Sequence, residues 1–455
     1  MARTAAPRSR GRRPTDGAPT DARSLTLRTT RRASRGAFVV PELSRALDGA
    51  DLSPSDRSFV TDLVYGSLRH RIWIDAALAP RLRDPGALPD EVREALRLGT
   101  YEKLLRGTPP HAAVDAWVHE VGRHASGLTG LTNAVLRRVA PPEAPDDAVR
   151  ASLPTWLWER IHAALGDAAH AAAAAMRAPA PLWLTTYADD AADRLRADGC
   201  EVAPGPVPRT LRVRSPRPLG TLAAFRSGAV QPQNPASQAV IQALAPEAAQ
   251  NGTVGNGTLG SETSRSGTVR VLDLCSGRGI KAAGLASRGA DVTAVEIDAA
   301  KIAEAQRNLA RLGVRVRHRQ ADLRAVPNTA PDDLPPAPYV LLDAPCSGTG
   351  TLRAHPEIAL RLGPDDVTSL TELQDRLLDA AVALTAPGGR LVYAVCALTN
   401  EEGPRRVDAA LDRHPRLYAE AWTPPLPHLR AGAGAFLLPR DGTDGFYVAR
   451  LRVGR

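Results

Sequence analysis

Val271-Leu-Asp-Leu-Cys-Ser-Gly-Arg-Gly-Ile-Lys281 is the stretch on which the fold turns. Its start, 271–274, is apolar apart from Asp273 and reads as a buried strand. Gly277 and Gly279 then let the backbone take positive φ and approach a ligand closely. Helical spacing takes over at Lys281, which predicts a helix over 281–287. A strand, a glycine turn and a helix open a doubly wound sheet, whose ligand crevice lies at the carboxyl edge.

The segments that follow extend this pattern. Strands are expected at 291–297, 339–342 and 391–395, with helices at 299–312 and 367–384. Such alternation builds a parallel sheet with helices on both faces. Segments 435–438 and 446–452, around Asp441-Gly442 and Asp444-Gly445, predict an antiparallel hairpin at the sheet edge. The fold class is α/β, a Rossmann-like domain over 233–455. A Gly, Ser, Thr and Asn run at 250–267 interrupts it and is expected to be a flexible insertion.

The turn has residues for a ligand. Asp273 ends its strand and can accept a hydrogen bond from a cationic amine. Glu296 follows Gly277 by 19 residues, at the end of the next strand, where two oxygens can hold both hydroxyls of a ribose. Gly277-x-Gly279-x-x-Ala282 also fits a dinucleotide fingerprint. A dinucleotide, however, puts a pyrophosphate at the helix N-terminus, and Asp273 repels one. The balance favours S-adenosylmethionine. Asp322, at the end of the following strand, is placed to contact the adenine, or else simply caps a loop.

Four cysteines are present, Cys200, Cys275, Cys346 and Cys396, without a CxxC pair. Neither zinc nor a disulfide framework is expected, and free thiols in a reducing compartment are. In Asp343-Ala-Pro-Cys-Ser-Gly-Thr-Gly350 the proline stops a strand and the glycines open a loop at its carboxyl end. Cys396 ends the next strand. Two thiols then face one crevice beside the cofactor turn, with Asp343. Carbon 5 of cytosine is a poor nucleophile. A thiolate that adds to carbon 6 makes carbon 5 enamine-like and able to accept a methyl group; loss of the carbon-5 proton and of the thiolate restores the ring. A thiol of ordinary pKa, about 8.5, is only a few per cent ionised at neutral pH, so the site must assist. Asp343 can bind the ring's N3 and exocyclic amine, and Lys281, one of three lysines, can assist electrostatically. Spacing alone leaves open which cysteine attacks.

The chain's 455 residues favour two or three domains. Hydrophobic content of 43% and charge of 24% describe a soluble globular protein. No apolar run reaches the roughly 20 residues of a membrane span, nor is there a secretion signal, so a cytoplasmic location without membrane contact is expected. Of the net charge of +9, residues 1–36 contribute +8, from ten arginines and two aspartates. They are expected to form a disordered tail, either an arm for nucleic-acid phosphates or a solubilising extension; Asp16 and Asp21 disfavour a transit peptide. Over 37–140 apolar residues recur at helical spacing (Phe59, Leu63, Val64, Leu68, Ile72), and prolines punctuate them, which predicts four to six short helices. Beyond a Pro-rich break at 140–145, segments 182–187 and 211–214 read as strands and 189–197 as a helix, an α+β module within 150–232. At 4% aromatic, the chain is not built for extensive base stacking.

With these motifs in hand, the sequence from about residue 31 onward resembles the NOL1/NOP2/Sun group of RNA cytosine-5 methyltransferases. Within it, the likeness is to the bacterial 16S ribosomal RNA branch that carries an N-terminal NusB-like domain. The resemblance rests on Tyr65-Gly-Ser-Leu-Arg69, Leu96-Arg-Leu-Gly-Thr-Tyr101, Thr132-Asn-Ala-Val-Leu-Arg-Arg138, Gln233-Asn-Pro-Ala-Ser-Gln238, Asp343-Ala-Pro-Cys-Ser-Gly348 and Asp444-Gly-Phe-Tyr447. It implies that region 37–140 is NusB-like and, with the α+β module, binds RNA. Cys396 is then the nucleophile, and Cys346 helps release the product. Cys275, Ser276, Gly277, Arg278, Gly279, Ile280, Lys281, Glu296, Asp322 and Asp343 match positions that hold the methyl donor. The implied substrate is cytosine 967 of 16S ribosomal RNA; RNA that is free or in an early assembly intermediate, and a monomeric enzyme, are expected. The chain departs from the group in two places. Cys275-Ser-Gly-Arg-Gly-Ile-Lys281 stands where the group usually has Cys-Ala-Ala-Pro-Gly-Gly-Lys, and Val395-Cys-Ala397 where it has Thr-Cys-Ser. Two other readings stay open: a nicotinamide-dependent oxidoreductase on the same fold, and a non-catalytic RNA-binding factor in ribosome assembly.

Overall fold

The computed structural model describes residues 21–244, 269–326 and 334–455; the expected insertion at 250–267 lies outside them. Asp273 and its neighbours sit in the middle of a nine-stranded sheet. Strands β5 (Arg270–Leu274), β6 (Asp291–Glu296), β7 (Arg317–Gln320), β8 (Ala337–Asp343) and β9 (Thr385–Val395) run parallel in the order β9-β8-β5-β6-β7. From β5 the chain winds outward through β6 to β7, returns to β8 on the other side of β5, and moves on to β9. The winding direction therefore reverses between β5 and β8, which is where a doubly wound sheet opens its crevice.

The sheet is buried on both sides, so its strands read as apolar runs. Val271, Val292, Ala294, Leu341, Val392 and Ala394 face one core, with the helices Pro235–Leu244 and Ile280–Ala286. Leu272, Leu274, Val295, Leu342 and Tyr393 face the other, with the helices Pro364–Ala383 and Pro404–Arg413. This second core also takes in Leu157, Ile161, Ala172 and Met176. The helices Thr155–Leu165 and Ala168–Arg177, unpredicted from sequence, thus pack on the main sheet rather than within the α+β module. That module has its own four-stranded antiparallel sheet, in the order β2-β3-β1-β4: β1 (Leu182–Thr186), β2 (Glu201–Pro204), β3 (Thr210–Arg214), β4 (Val230–Pro232).

The predicted hairpin forms from β12 (Gly434–Leu437) and β13 (Phe446–Val453), but not at the edge. β13 lies against β9, β10 (Leu417–Ala419) pairs with β13, and the outermost strand is β11 (His428–Ala431). These two short strands carry little periodic signal.

Of the expected disordered tail over 1–36, residues 1–20 lie outside the described residues, and most of the rest is a helix. Helix Ala22–Ser34 is capped by Asp21, whose side chain accepts from the Arg23 N–H, and it buries Leu25, Leu27 and Ala33. Arg23 pairs with buried Glu102 at 2.6 Å and Arg31 with Glu91 at 2.6 Å, so part of the charge that read as disorder is matched by acids of the bundle. Six more helices follow up to Arg138. The bundle docks on the segment after Cys346: the Val39 N–H donates to Glu357 Oε1 at 3.3 Å, and Arg69 Nε to the Arg353 carbonyl at 2.8 Å. Among the described residues no helix is long and apolar enough to cross a membrane.

Candidate active site

The turn after β5 is built by three backbone ties. The Ser276 N–H donates to the Val295 carbonyl at 3.0 Å, the Gly279 N–H to the Ser276 carbonyl at 2.9 Å, and the Gly277 N–H to Glu296 Oε2 at 2.8 Å. Cys275, at φ 58°, takes a left-handed conformation that costs a non-glycine residue about 1–2 kcal/mol. Gly279 at φ 71° comes close to helix Ala299–Leu312: a Cβ there would meet Ala305 at 3.0 Å. Gly277 at φ 55° borders open space instead, where a Cβ meets nothing within 4 Å.

Asp273 is fully buried, and neither carboxylate oxygen has a hydrogen-bond partner. Burial, with repulsion from Asp343, pushes its carboxyl up to about 7, against the pull of Lys281. An orphaned acid beside an open glycine turn fits a cationic ligand group, and these residues suit the ammonium and ribose of S-adenosylmethionine. Glu296 is already engaged, since its Oε1 accepts the Ile297 and Asp298 N–H groups at 3.1 Å each. Ser276 Oγ is buried and unpartnered.

The other turn residues separate. The Arg278 side chain is exposed and pairs with Glu304 at 2.9 Å, so only its backbone belongs to the crevice. Ile280 opens the helix, half-buried. Asp322 follows β7, next to Ala321, whose N–H donates to the Glu296 carbonyl. It is exposed, caps a short turn through the Arg324 N–H at 3.0 Å, and is held down to about 2 by the Arg324 side chain.

At the ends of β8 and β9 the two thiols meet: Cys346 Sγ and Cys396 Sγ are 3.2 Å apart. Strand register explains it. Asp343 is opposite Ala394, the Ala344 N–H donates to the Ala394 carbonyl at 2.9 Å, and the Gly350 N–H to the Cys396 carbonyl at 2.9 Å. The two loops therefore peel off together. Contact with Cys396, then burial and the charge of Glu402, push the Cys346 thiol well above its ordinary range. Lys281, in the helix after the β5 turn, donates from Nζ to Asp343 Oδ2 at 2.6 Å. Its ammonium also lies 5.4 Å from the centre of the Phe446 ring. Burial works against its charge, but Asp343 outweighs this and raises its pKa. Cys275 stands at the donor turn rather than with the pair, and Cys200 is buried in the core of the α+β module.

Residues 264–452 match the family described as 16S rRNA methyltransferase RsmB/F, and residues 20–141 the NusB family. Ribosomal RNA small subunit methyltransferase B of Thermus thermophilus is 42% identical over 94% of this chain and 97% of its own. The chain belongs to the RsmB/F family. A putative methyltransferase of Mycobacterium tuberculosis is 34% identical over 98% of this chain and 99% of its own. Among solved structures, PH0851 superposes with a TM-score of 0.74 at 23% identity, over 94% of this chain and 98% of that one. NSun6 from Pyrococcus horikoshii, crystallised with SFG, gives 0.54 at 17% identity, over 66% of this chain and 98% of that one. At such identities the structures speak for the fold alone. The RsmB/F protein is thus an S-adenosylmethionine-dependent RNA methyltransferase with a NusB domain at its N-terminus. The nicotinamide and non-catalytic readings fall away with this.

Two parts of this RsmB/F site were not singled out from sequence. Asn234 anchors the loop before β13: its Oδ1 accepts the Asp444 N–H at 3.0 Å and its Nδ2 donates to the Gly442 carbonyl at 3.3 Å. The motif Gln233–Gln238 is legible in the sequence, but nothing in it tells what it holds. Glu402, fully buried, lies beside the thiol loops. A carboxylate six residues after Cys396 reads in sequence like any loop acid.

Proposed function

We propose that this enzyme methylates carbon 5 of a cytosine in 16S ribosomal RNA, cytosine 967 being the position the family resemblance implies, through a covalent bond between a cysteine and carbon 6. One observation carries this reading: two thiols 3.2 Å apart at the ends of neighbouring strands, beside the Lys281–Asp343 pair and the donor turn. A single cysteine can be a small buried hydrophobe. A facing pair at the carboxyl edge of the sheet, next to its switch point, suits a reaction in which one sulfur attacks and its neighbour handles a proton.

The bound cofactor supplies an electrophilic methyl group on a sulfonium. Asp273, Glu296 and the turn 275–281 are the residues to hold it, with Asp322 next to Glu296. Cys396 is assigned as the nucleophile, and Asp343 as the acceptor for the cytosine's exocyclic amine. Lys281 orients Asp343 and places a cation where the ring gathers negative charge. At release the carbon-5 proton leaves to a base and its electron pair forms the C5–C6 double bond. The C6–Sγ bond then breaks toward Cys396, which takes its proton from Cys346; the proton lost from carbon 5 restores Cys346. The base has to leave its stack to reach this crevice. Single-stranded or strained RNA, held by the NusB domain and the α+β module against a monomeric enzyme, suits that need.

Labelled methyl transfer to ribosomal RNA, followed by bisulfite sequencing, tests the reading. Cys346→Ala should accumulate a protein–RNA adduct that survives a denaturing gel, and Cys396→Ala should form none. Adduct with Cys396→Ala but not Cys346→Ala reverses the two roles. Methyl found elsewhere than carbon 5 ends the reading.

A further inference from the structure

Glu402 raises a question that the reaction alone does not answer. Its side chain is fully buried, and among the described residues it makes no salt bridge. A buried carboxylate without a cation is costly unless donors fill its lone pairs. Four do. Oε1 accepts the Ser347 N–H at 2.7 Å and Gln374 Nε2 at 3.2 Å; Oε2 accepts the Ser347 hydroxyl at 2.5 Å and the Thr399 hydroxyl at 3.0 Å.

These donors come from both sides of the thiol pair. Ser347 directly follows Cys346, while Thr399 stands three residues after Cys396. The same Gln374 amide donates to the Pro345 carbonyl at 2.9 Å, so the residues before and after Cys346 are both fixed. Two further bonds between the loops, Leu398 N–H to Thr349 Oγ1 at 2.9 Å and Gly350 N–H to the Cys396 carbonyl at 2.9 Å, lie beside this centre. Behind it the Tyr393 hydroxyl donates to the Glu402 carbonyl at 2.8 Å and ties the centre to β9.

We propose that Glu402 is a positioning residue for product release: it clasps the loops of both cysteines and holds the Cys346 sulfur against Cys396. A carboxylate is suited because it accepts only. Glutamine at this place turns an NH2 group toward a donor and leaves part of the clasp open. The charge acts in the same direction as the geometry. Together with the contact to Cys396 and burial, it keeps the Cys346 thiol protonated, which disfavours Cys346 as the attacking sulfur.

The inference rests on the reaction proposed above, and its test separates the two. Full-length wild type, Cys346→Ala, Glu402→Gln and Ser347→Ala are compared on ribosomal RNA with labelled cofactor. Glu402→Gln should keep cofactor affinity within about twofold and a first turnover close to wild type, while steady-state turnover falls about tenfold and adduct builds up. Ser347→Ala, which loses the hydroxyl's bonds to Glu402 and Thr349 but keeps the Ser347 N–H and the Gln374 and Thr399 donors on the carboxylate, should show the same pattern more weakly. Adding Glu402→Gln to Cys346→Ala should cost nothing further. Wild-type turnover and adduct levels in Glu402→Gln overturn the proposal, as does a first turnover that falls in step with the steady state. If Glu402→Gln does not fold, absence of adduct in Ser347→Ala overturns it equally. If instead Cys346→Ala forms no adduct, the cysteine reading itself fails, and the role of Glu402 falls with it.

Discussion

The two halves of the crevice are prepared in opposite ways. On the β5–β6 side, Asp273 is buried with both oxygens empty and Ser276 Oγ has no partner. On the β8–β9 side, Glu402 is just as buried and each of its oxygens accepts two hydrogen bonds; buried oxygens without a partner on that side belong to Gln374 and, farther along the loop, to Glu357. An unmet carboxylate costs stability until a ligand completes it, whereas a met one fixes geometry in advance. One half is thus built to gain from binding, and the other to hold two sulfurs in place before anything binds.

The largest effects should divide along that line. Cys396→Ala should lower methyl transfer by at least about a thousandfold and leave cofactor affinity unchanged, by calorimetry. Asp273→Asn should do the converse and weaken cofactor affinity about 100-fold, close to 3 kcal/mol. Loss of affinity in Cys396→Ala, or none in Asp273→Asn, removes the distinction between the halves.

The Asp273 half also predicts a pH dependence. An unfolded aspartate titrates near 4, and burial moves the folded carboxyl to about 7. The folded protein then binds more protons between these values, so its stability without cofactor should fall as pH rises from about 4 to about 7 and level off above. The span is on the order of a few kcal/mol. Denaturant melts of wild type and Asp273→Asn check this: the variant should show a flatter profile and greater stability at pH 8. A steep profile in the variant assigns the titration to another group.

On the thiol side, Asn234→Ala should have a smaller effect. It frees the Asp444 N–H and leaves the Gly442 carbonyl with the Trp183 indole N–H alone, in a loop whose Gly445 N–H donates to the Gly350 carbonyl at 2.8 Å. About 1–2 kcal/mol of stability should go, with turnover down about tenfold and cofactor affinity kept. Affinity that falls along with turnover means that the loop serves both halves.

The β5 turn could be read from sequence because strand, glycines and helix are local signals, and helix 299–312 came out with the bounds seen in the structure. The meeting of Cys346 and Cys396 could be anticipated too, since it needs only two adjacent strands ending level. Helix Ala22–Ser34 could not: its arginines suggested a solvated tail, and the acids that pair with them, Glu91 and Glu102, lie some 60 to 80 residues away. Helices Thr155–Leu165 and Ala168–Arg177 went unread, and they pack on a sheet whose strands begin about 100 residues later. Glu402 stayed hidden for the same reason. Its meaning lies in Ser347 and Gln374, which only the fold brings to it.

Ser276 allows the finest test of the contrast, because a single hydroxyl there is buried and without a partner. Ser276→Ala removes that hydroxyl and leaves the backbone ties to Val295 and Gly279 intact. Without cofactor the variant should be as stable as wild type or up to about 1 kcal/mol more so, since an unmet hydroxyl is a burden. If the cofactor half is indeed built to be completed by its ligand, that hydroxyl should be met in the complex, and the variant should bind about threefold more weakly. Stability and affinity thus move in opposite directions at a single atom. A gain in both makes Ser276 a tolerated blemish in the turn and leaves Asp273 alone as the group that waits for a ligand.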